Sequence, residues 1–455
     1  MKNLTLTNIA NACDGKLFLP DGFVDKEIDN ITIDSRTVTE GSLFVPIVGA
    51  RVDGHTFISR VYENGALCTL TERELTDEEK ALNKPYIMVE SSLIAIKQIA
   101  AFYRNQLDIK VIGITGSVGK TSTKEIISSV LDTKYNVLKT QGNFNNEIGV
   151  PLTIFRIRDE HQVAVVEMGI NNFEEMNRLS AITRPDIGVI TNIGICHLEN
   201  LGDRDGVLKA KTEMFNHLNA NASVVLNGDD DKLSTVVSVN GVKPIFYGID
   251  NDCDVYADNI NGRGLKGIEC DIHIEGDVIS VLVPIPGKHM VYNAMAAAIV
   301  GKKLNLSNDE IKKGIEKMET ISGRFNIIEK DDLTIIDDCY NANPVSMKAS
   351  LDVLNQADTR KIAILGDMFE LGEDEVRLHE EIGKHIEGTD IDVVICVGKL
   401  SHNIKPQGKT VYYFNNLDDF FGRIEELIYS KDTILIKASH GMEFVKIVNY
   451  FNNFF

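Results

Sequence analysis

Hydrophobic residues arrive along this chain in two rhythms. Short apolar runs stand at Ile109 to Ile112, Gln162 to Val166, Ile187 to Ile190, Ser223 to Asn227 and Ile245 to Tyr247, and again at Leu333 to Asp337, Lys361 to Leu365, Asp392 to Val397 and Thr433 to Lys437. Runs without alternation fit strands covered on both faces, as in a parallel sheet. Between them apolar residues recur at helical spacing, as in Ser91 to Gln106 and Leu208 to Phe215. Residues 253–283 instead alternate in short strand-like pieces, with a glycine-rich bend at Gly262 to Gly267. Helix starts carry capping chemistry: Thr76 with Glu79 and Ser307 with Glu310 have capping-box spacing, and Asn343 before Pro344 predicts a cap and a first turn. Ahead of residue 108, strand signals at Ile31 to Ile33, Gly41 to Ile47, Ala66 to Leu70 and Tyr86 to Val89 predict a small mixed unit. The expected fold class is α/β, in units over 1–108, 109–320 and 321–455, the last with a mostly parallel sheet.

Length supports that division, because 455 residues accommodate about three domains of ~150 residues each. The formal net charge of −20 argues against nonspecific nucleic-acid binding. An anionic ligand must therefore meet local positive charge rather than a global field. No apolar run approaches the ~20 residues of a membrane-spanning helix, and Met1 to Gly15 lacks the apolar core of a secretory signal. Cys13, Cys68, Cys196, Cys253, Cys270, Cys339 and Cys396 are scattered, with no Cys-x-x-Cys pair, and read as reduced thiols. A cytoplasmic location is expected.

Candidate chemistry centres on Gly113-Ile114-Thr115-Gly116-Ser117-Val118-Gly119-Lys120-Thr121. Strand, glycine loop, then helix is the arrangement that cradles nucleotide phosphates, because small residues let several backbone N–H groups aim at one anion. Lys120 would place a positive charge near the β- and γ-phosphates, and Thr121 would offer a hydroxyl to Mg²⁺. Ile114 stands where the standard phosphate loop has glycine, so the loop reads Thr-Gly-Ser-x-Gly-Lys-Thr. Glu167 and His197 fall just past two strand ends, where ligands collect in such sheets. A carboxylate there suits Mg²⁺ and a neutral imidazole can complete the sphere, with histidine the weaker assignment because Mg²⁺ prefers oxygen. The Asn-rich stretch Thr140 to Pro151 is either a surface turn or a set of neutral amides for a polar substrate. Read alone, Asp34-Ser35-Arg36 is a turn, His55 a loop residue, and Lys211 a solvated lysine on the helix face of Phe215.

In chain order, these strings resemble the Mur ligases of bacterial cell-wall synthesis along the whole sequence. The resemblance rests on Asp34-Ser35-Arg36 with Gly41-Ser42-Leu43-Phe44, the loop Thr115 to Thr121 with Lys124-Glu125, Gly142 to Gly149, Glu167-Met168-Gly169 and His197-Leu198-Glu199. It continues through Pro286-Gly287-Lys288-His289 to Asn293-Ala294, Gly323-Arg324-Phe325, Asp338 to Pro344, Gly366 to Gly372 and Lys437-Ala438-Ser439. It implies a uridine-nucleotide recognition domain (1–108), a central P-loop ATPase-like domain (109–320) and a C-terminal Rossmann-like domain (321–455) contacting the amino substrate and ATP. It implies an ATP-dependent, peptide-bond-forming ligase of peptidoglycan precursor synthesis. Tyr-Asn-Ala-Asn-Pro and Gly-Asp-Met…Glu-Leu-Gly point, within the family, to addition of D-alanyl-D-alanine to UDP-MurNAc-tripeptide through an acyl phosphate. The alternative is the sibling that adds the third amino acid to UDP-MurNAc-dipeptide, whose usual Asp-Asn-Pro-Arg string is absent.

By the same resemblance, Thr115, Gly116, Ser117, Val118, Gly119, Lys120, Thr121, Asn293, Arg324 and Asp338 contact ATP. Lys120, Glu167, His197 and Lys211 serve catalysis, with a carbamate on Lys211. Thr121, Glu167 and His197 hold Mg²⁺, with two ions expected. Ser35, Asn145, Asn146, Tyr340 and Asn341 meet the other substrates. The family's Lys-Gly-Ser-Arg ending reads Lys437-Ala438-Ser439-His440 here, without the fixed positive charge. Neither nucleic acid nor membrane is expected as a partner, and the expected state is a monomer.

Overall fold

A computed structural model describes residues 1–49 and 51–454. Three sheets follow one another along the chain. The first orders its strands Lys16–Phe18, Tyr86–Met88, Cys68–Thr71, Ser42–Phe44 and Asn30–Thr32, with only the first pair antiparallel. Helix Ser92–Arg104 then leads into the second sheet. Its buried Ala95, Ile96, Ile99, Ala100 and Tyr103 recur at helical spacing. They pack in one cluster with Leu43 and Leu70 of the first sheet and Val150, Ile154 and Leu179 of the second unit, so the two units share a core.

The second sheet has nine strands, in the order Asp277–Val283, Ile268–Ile274, Val255–Gly262, Ile245–Gly248, Ser223–Asn227, Ile187–Ile190, Lys110–Thr115, Val163–Glu167 and Val137–Lys139. The first three form an antiparallel meander and the rest pair in parallel. Lys110–Thr115 lies between Ile187–Ile190 and Val163–Glu167, with Ile114 opposite Glu167 and Thr115 opposite Ile190. The three loops that follow these strands therefore leave the sheet at one edge. The alanine-rich helix Lys288–Lys303 packs beside helix Lys120–Leu131, its Ala294, Ala296, Ala297 and Ala298 all buried. Small side chains let the two backbones approach closely.

The third sheet runs Asn326–Glu329, Leu333–Asp337, Asp432–Lys437, Lys361–Gly366, Val393–Val397 and Thr410–Phe414, parallel except for its first pair. Its core continues into the second unit, where Val353 and Leu354 join a cluster with Ile285, Met290 and Val291. Among the described residues no helix is long and apolar enough to cross a membrane.

This is the α/β class and three-part arrangement expected, with four local differences. Residues 253–283 form three long strands rather than short pieces. The helix expected to run to Phe215 is Arg204–Thr212, followed by a 3₁₀ turn over Glu213–His217. The Asn-rich stretch ends in a short helix, Gly149–Ile154, because Pro151 sits in its first turn, where no intrahelical N–H is needed. His55 is not a free loop residue: its Nδ1 lies 2.7 Å from Asp53 and its Nε2 accepts the Glu72 N–H at 3.0 Å.

Candidate active site

The loop after Lys110–Thr115 makes its turns with two left-handed glycines. Gly116 has φ 152° and Gly119 φ 83°, and a Cβ at Gly116 would collide with Thr191 Oγ1. Thr191 and Asn192 shape the loop from the neighbouring strand end. Thr191 Oγ1 donates to Val118 O at 2.6 Å, and Asn192 Oδ1 accepts the Val118 N–H at 2.9 Å. Helix Lys120–Leu131 opens with no side-chain cap. Its first N–H groups lack intrahelical partners, so this end is built to receive an anion.

Lys120 Nζ donates to Gly116 O at 2.9 Å. Burial lowers its pKa, with Glu167 opposing. Thr121 Oγ1 donates to Glu167 Oε2 at 3.0 Å, and Asn145 Nδ2 donates to Oε1 at 2.8 Å. The Glu167 backbone N–H donates to Thr140 Oγ1 at 3.0 Å, while Thr140 O accepts from buried Lys124 Nζ at 2.8 Å. Glu167 is thus fixed by three groups and is 2 % exposed. Asn146 Oδ1 accepts the Ile148 and Gly149 N–H groups at 3.1 and 2.9 Å, which shapes the Asn-rich loop. Glu147 ties that loop to Lys97 of helix Ser92–Arg104 at 2.9 Å and to Arg178 at 2.5 Å.

The opposite wall comes from the third unit. Asp337 Oδ2 accepts the Gly323 N–H at 2.7 Å, and Asp338 Oδ1 accepts the Phe325 N–H at 3.3 Å. These bonds set the turn that presents Arg324, whose guanidinium carbon lies 3.9 Å from the centre of the Tyr340 ring. The Tyr340 ring is in turn 5.3 Å from that of His440. Lys437, buried at the end of its strand, donates to Asp338 Oδ2 at 2.5 Å and to Asn341 O at 3.2 Å. His289 stands beside Phe325, and burial pushes its imidazole down to about 4, so the ring is neutral at pH 7.

One cavity of about 580 Å³ joins the two walls. Ser117 to Thr121, Asn145, Asn146, Glu167, His197, Arg324, Asp338, Tyr340 and Asn341 all line it. Thr115 and Gly116 shape the loop from behind, and Asn293 sits behind it, accepting from Thr123 Oγ1 at 3.0 Å. Lys211 is buried rather than solvated. Burial and Lys120 push its amine down to about 8. Burial, Lys211 and Lys120 hold His197 down at about 4. Ser35 lies in the first unit, beside the Asp34–Arg36 ion pair, and does not line this cavity. Among the described residues no cluster of three or more His, Cys, Asp or Glu side chains forms a ready ligand set. Sequence reasoning gave no role to Lys124, Asn192 and His289, although Lys124 and His289 stand in strings that carry the resemblance; it placed Lys437 at a strand end, where ligands collect, without naming its partner Asp338.

Three Mur ligase descriptions match the chain: "Mur ligase family, catalytic domain" at residues 27–104, "Mur ligase middle domain" at 114–301 and "Mur ligase, glutamate ligase domain" at 323–440. A UDP-N-acetylmuramoyl-tripeptide–D-alanyl-D-alanine ligase of Bacillus subtilis is 35 % identical over 98 % of this chain and 97 % of its own length. The chain belongs to the Mur ligase family. A solved MurF structure from Acinetobacter baumannii superposes with a TM-score of 0.89 at 30 % identity, covering 97 % of both chains. MurF from Thermotoga maritima, solved in complex with ADP, gives 0.83 at 28 % identity over 93 % of this chain and 97 % of that one. As a Mur ligase, the chain is an ATP-dependent enzyme whose cavity at the phosphate loop is its candidate active site.

Proposed function

We propose that this Mur ligase joins D-alanyl-D-alanine to UDP-MurNAc-tripeptide, using ATP to activate the tripeptide's terminal carboxylate. The observation that carries the reading is the single cavity in which an uncapped helix N-terminus with Lys120 faces Arg324, Asp338 and Tyr340 of another unit. The names of the relatives supply the substrates. On this reading residues 1–108 recognise the uridine nucleotide, with Ser35 as a contact. Residues 109–320 bind ATP, and residues 321–455 bring the amino substrate to it.

The chemistry follows from the groups present. A carboxylate is a poor electrophile, and phosphorylation gives it a leaving group. One carboxylate oxygen attacks the γ-phosphorus, the bond to ADP breaks, and the free amine of the dipeptide then attacks the acyl carbon and expels phosphate. Two anions must meet in the first step, so the cavity has to supply cations within a chain of net charge −20. Lys120 and the loop N–H groups would hold the β- and γ-phosphates, and Arg324 would approach from the far wall. Asn145 keeps Glu167 oriented, and Asn341, Asn146 and Tyr340 border the remaining space for the amino substrate. Water must be kept from the acyl phosphate, and closure of the two walls would do so.

Mg²⁺ fits the donor set. Thr121 and Glu167 present two hard oxygens 3.0 Å apart, and Mg²⁺ commonly takes one or two carboxylate or hydroxyl ligands and keeps its waters. Glu167 and His197 would hold a second ion. Bound there, Mg²⁺ would neutralise phosphate charge. A carbamate on Lys211 would supply an anion next to those cations. An amine held near pKa 8 is partly neutral at pH 7, able to attack CO₂ and lose a proton. With ¹³C-bicarbonate, a carbamate carbon signal is expected in the native protein and not in Lys211→Arg, whose turnover falls about 10- to 100-fold. A bare amine at Lys211 in fully active protein would contradict this assignment.

Seven free cysteines fit a reducing compartment such as the cytoplasm. The test of the function is ligation across a matrix of UDP-MurNAc-peptides and amino substrates. UDP-MurNAc-pentapeptide should form from tripeptide and D-alanyl-D-alanine. Preference for UDP-MurNAc-dipeptide and a free amino acid would instead identify the sibling activity.

A further inference from the structure

Arg36, Arg178, Arg204 and Arg360 each pair with a carboxylate. Arg324 does not. Among the described residues its guanidinium has no ion-pair partner, and its carbon lies over the Tyr340 ring, 3.9 Å from the centre. Arg360 is the useful contrast, since it lies over Tyr429 at 4.5 Å but also pairs with Asp432 at 2.8 Å. Arg324 has the ring without the carboxylate, and it lines the cavity.

The backbone brings the two side chains together. Arg324 stands between two left-handed residues, Gly323 with φ 78° and Phe325 with φ 51°. Its N–H donates to Ile321 O at 2.9 Å, and the Tyr340 N–H donates to Gly323 O at 3.1 Å, which sets Tyr340 beside the turn. A Cβ at Gly323 would lie 3.2 Å from the Tyr340 Cβ, tighter than ordinary contact. Across the cavity, the Arg324 charge acts on Lys120 and disfavours its protonated form. Two cations from different units therefore converge on one space, and their repulsion would drive an untethered guanidinium toward solvent. A carboxylate tether would neutralise the charge and occupy the N–H fork that suits phosphate. An aromatic face can hold the flat side of a guanidinium and leave its N–H edges to a ligand.

We propose that Tyr340 is a positioning residue for ATP: its ring holds the Arg324 guanidinium in the cavity opposite Lys120, still charged and with its N–H groups open to phosphate. Resting on the ligase reading of this cavity, the proposal gives Tyr340 a part in nucleotide binding besides its place beside the amino substrate.

The test is a double-mutant cycle on the full chain, read as the dissociation constant for ATP with Mg²⁺ and with neither peptide nor amine present. Arg324→Ala should weaken binding about 30-fold. Tyr340→Leu should weaken it about 5-fold, the size of a partly desolvated cation–π contact, and Tyr340→Phe, which keeps the ring, by less than about twofold. In the Arg324→Ala background Tyr340→Leu should change binding by less than about twofold, because the ring then has no cation to hold. In ligation, the KM for ATP should rise in Tyr340→Leu and return in Tyr340→Phe. ATP binding of Tyr340→Leu equal to wild type, or the same loss with and without Arg324, would overturn the proposal. So would an effect confined to the KM for the amine. If Tyr340→Leu does not fold, Tyr340→Gln, which also lacks an aromatic face, takes its place in the cycle. Failure of the ligase reading is distinguishable, because the cycle would then show its coupling while no amide formed. Wild-type ATP binding by Arg324→Ala would remove Arg324 from the nucleotide site and overturn the proposal with it.

Discussion

Lys120→Ala should lower ligation turnover by about 10³-fold while leaving the unliganded protein as stable as wild type or more so. The two effects have one cause. Lys120 is half-buried, with the Gly116 carbonyl as its hydrogen-bond acceptor, and burial depresses its pKa. A charge in that position costs free energy in the empty protein and returns it when phosphate arrives. A unit charge pair at 4 Å is worth about 4 kcal/mol at an effective dielectric of 20, which removal of the ammonium forfeits. Thermal unfolding with and without ATP separates the terms. Wild type should gain about 2.7 kcal/mol at a nucleotide concentration near 100 Kd, and the variant should gain far less at that concentration. Near-normal turnover in Lys120→Ala would remove the phosphate loop from the mechanism.

Lys437→Met should destabilise the protein by about 3–5 kcal/mol, the cost of stranding one partner of a buried ion pair. Lys437 is 2 % exposed and Asp338 5 %, and the ammonium bonds to the Asp338 carboxylate and to the carbonyl of Asn341. Ser350 Oγ and the Phe325 N–H would be left as the donors to Asp338. Because those bonds also set the Arg324 turn, activity should fall with stability. Adding Asp338→Asn to Lys437→Met should recover part of the lost stability, since the stranded charge is then gone. A loss below about 1 kcal/mol in urea unfolding, the size expected of an exposed pair, would contradict this account of the pair.

Much of the site was legible because strand ends are legible. Uninterrupted apolar runs mark buried parallel strands, and in such sheets the loops that follow gather at one edge, which is where Lys120, Glu167, His197 and Asp338 lie. Strands without that signal were missed. Lys16–Phe18, Val137–Lys139, Asn326–Glu329 and Thr410–Phe414 all sit at sheet edges, half exposed and short, so neither face imposes a pattern. The partners of the site were less legible still. Lys437 and Asp338 are 99 residues apart, and Lys124 reaches Thr140 by a bond that no local spacing announces. Asn145 lines the cavity as expected of a substrate contact, and its amide also bonds to Glu167, a link that the sequence does not announce. Lys211 was read alone as a solvated lysine because helix spacing says which residues share a face, not which face is covered.

The most direct test of carboxylate activation in this cleft is oxygen transfer. UDP-MurNAc-tripeptide labelled with ¹⁸O in its terminal carboxylate is incubated with the enzyme, ATP, Mg²⁺ and D-alanyl-D-alanine, and the phosphate released is analysed by mass. Through an acyl phosphate, each turnover carries one labelled oxygen into inorganic phosphate, and release depends on both the peptide and the amine. Phosphate free of ¹⁸O, or released at the same rate without either substrate, would contradict the assignment of this cavity as a carboxylate-activating ligase site.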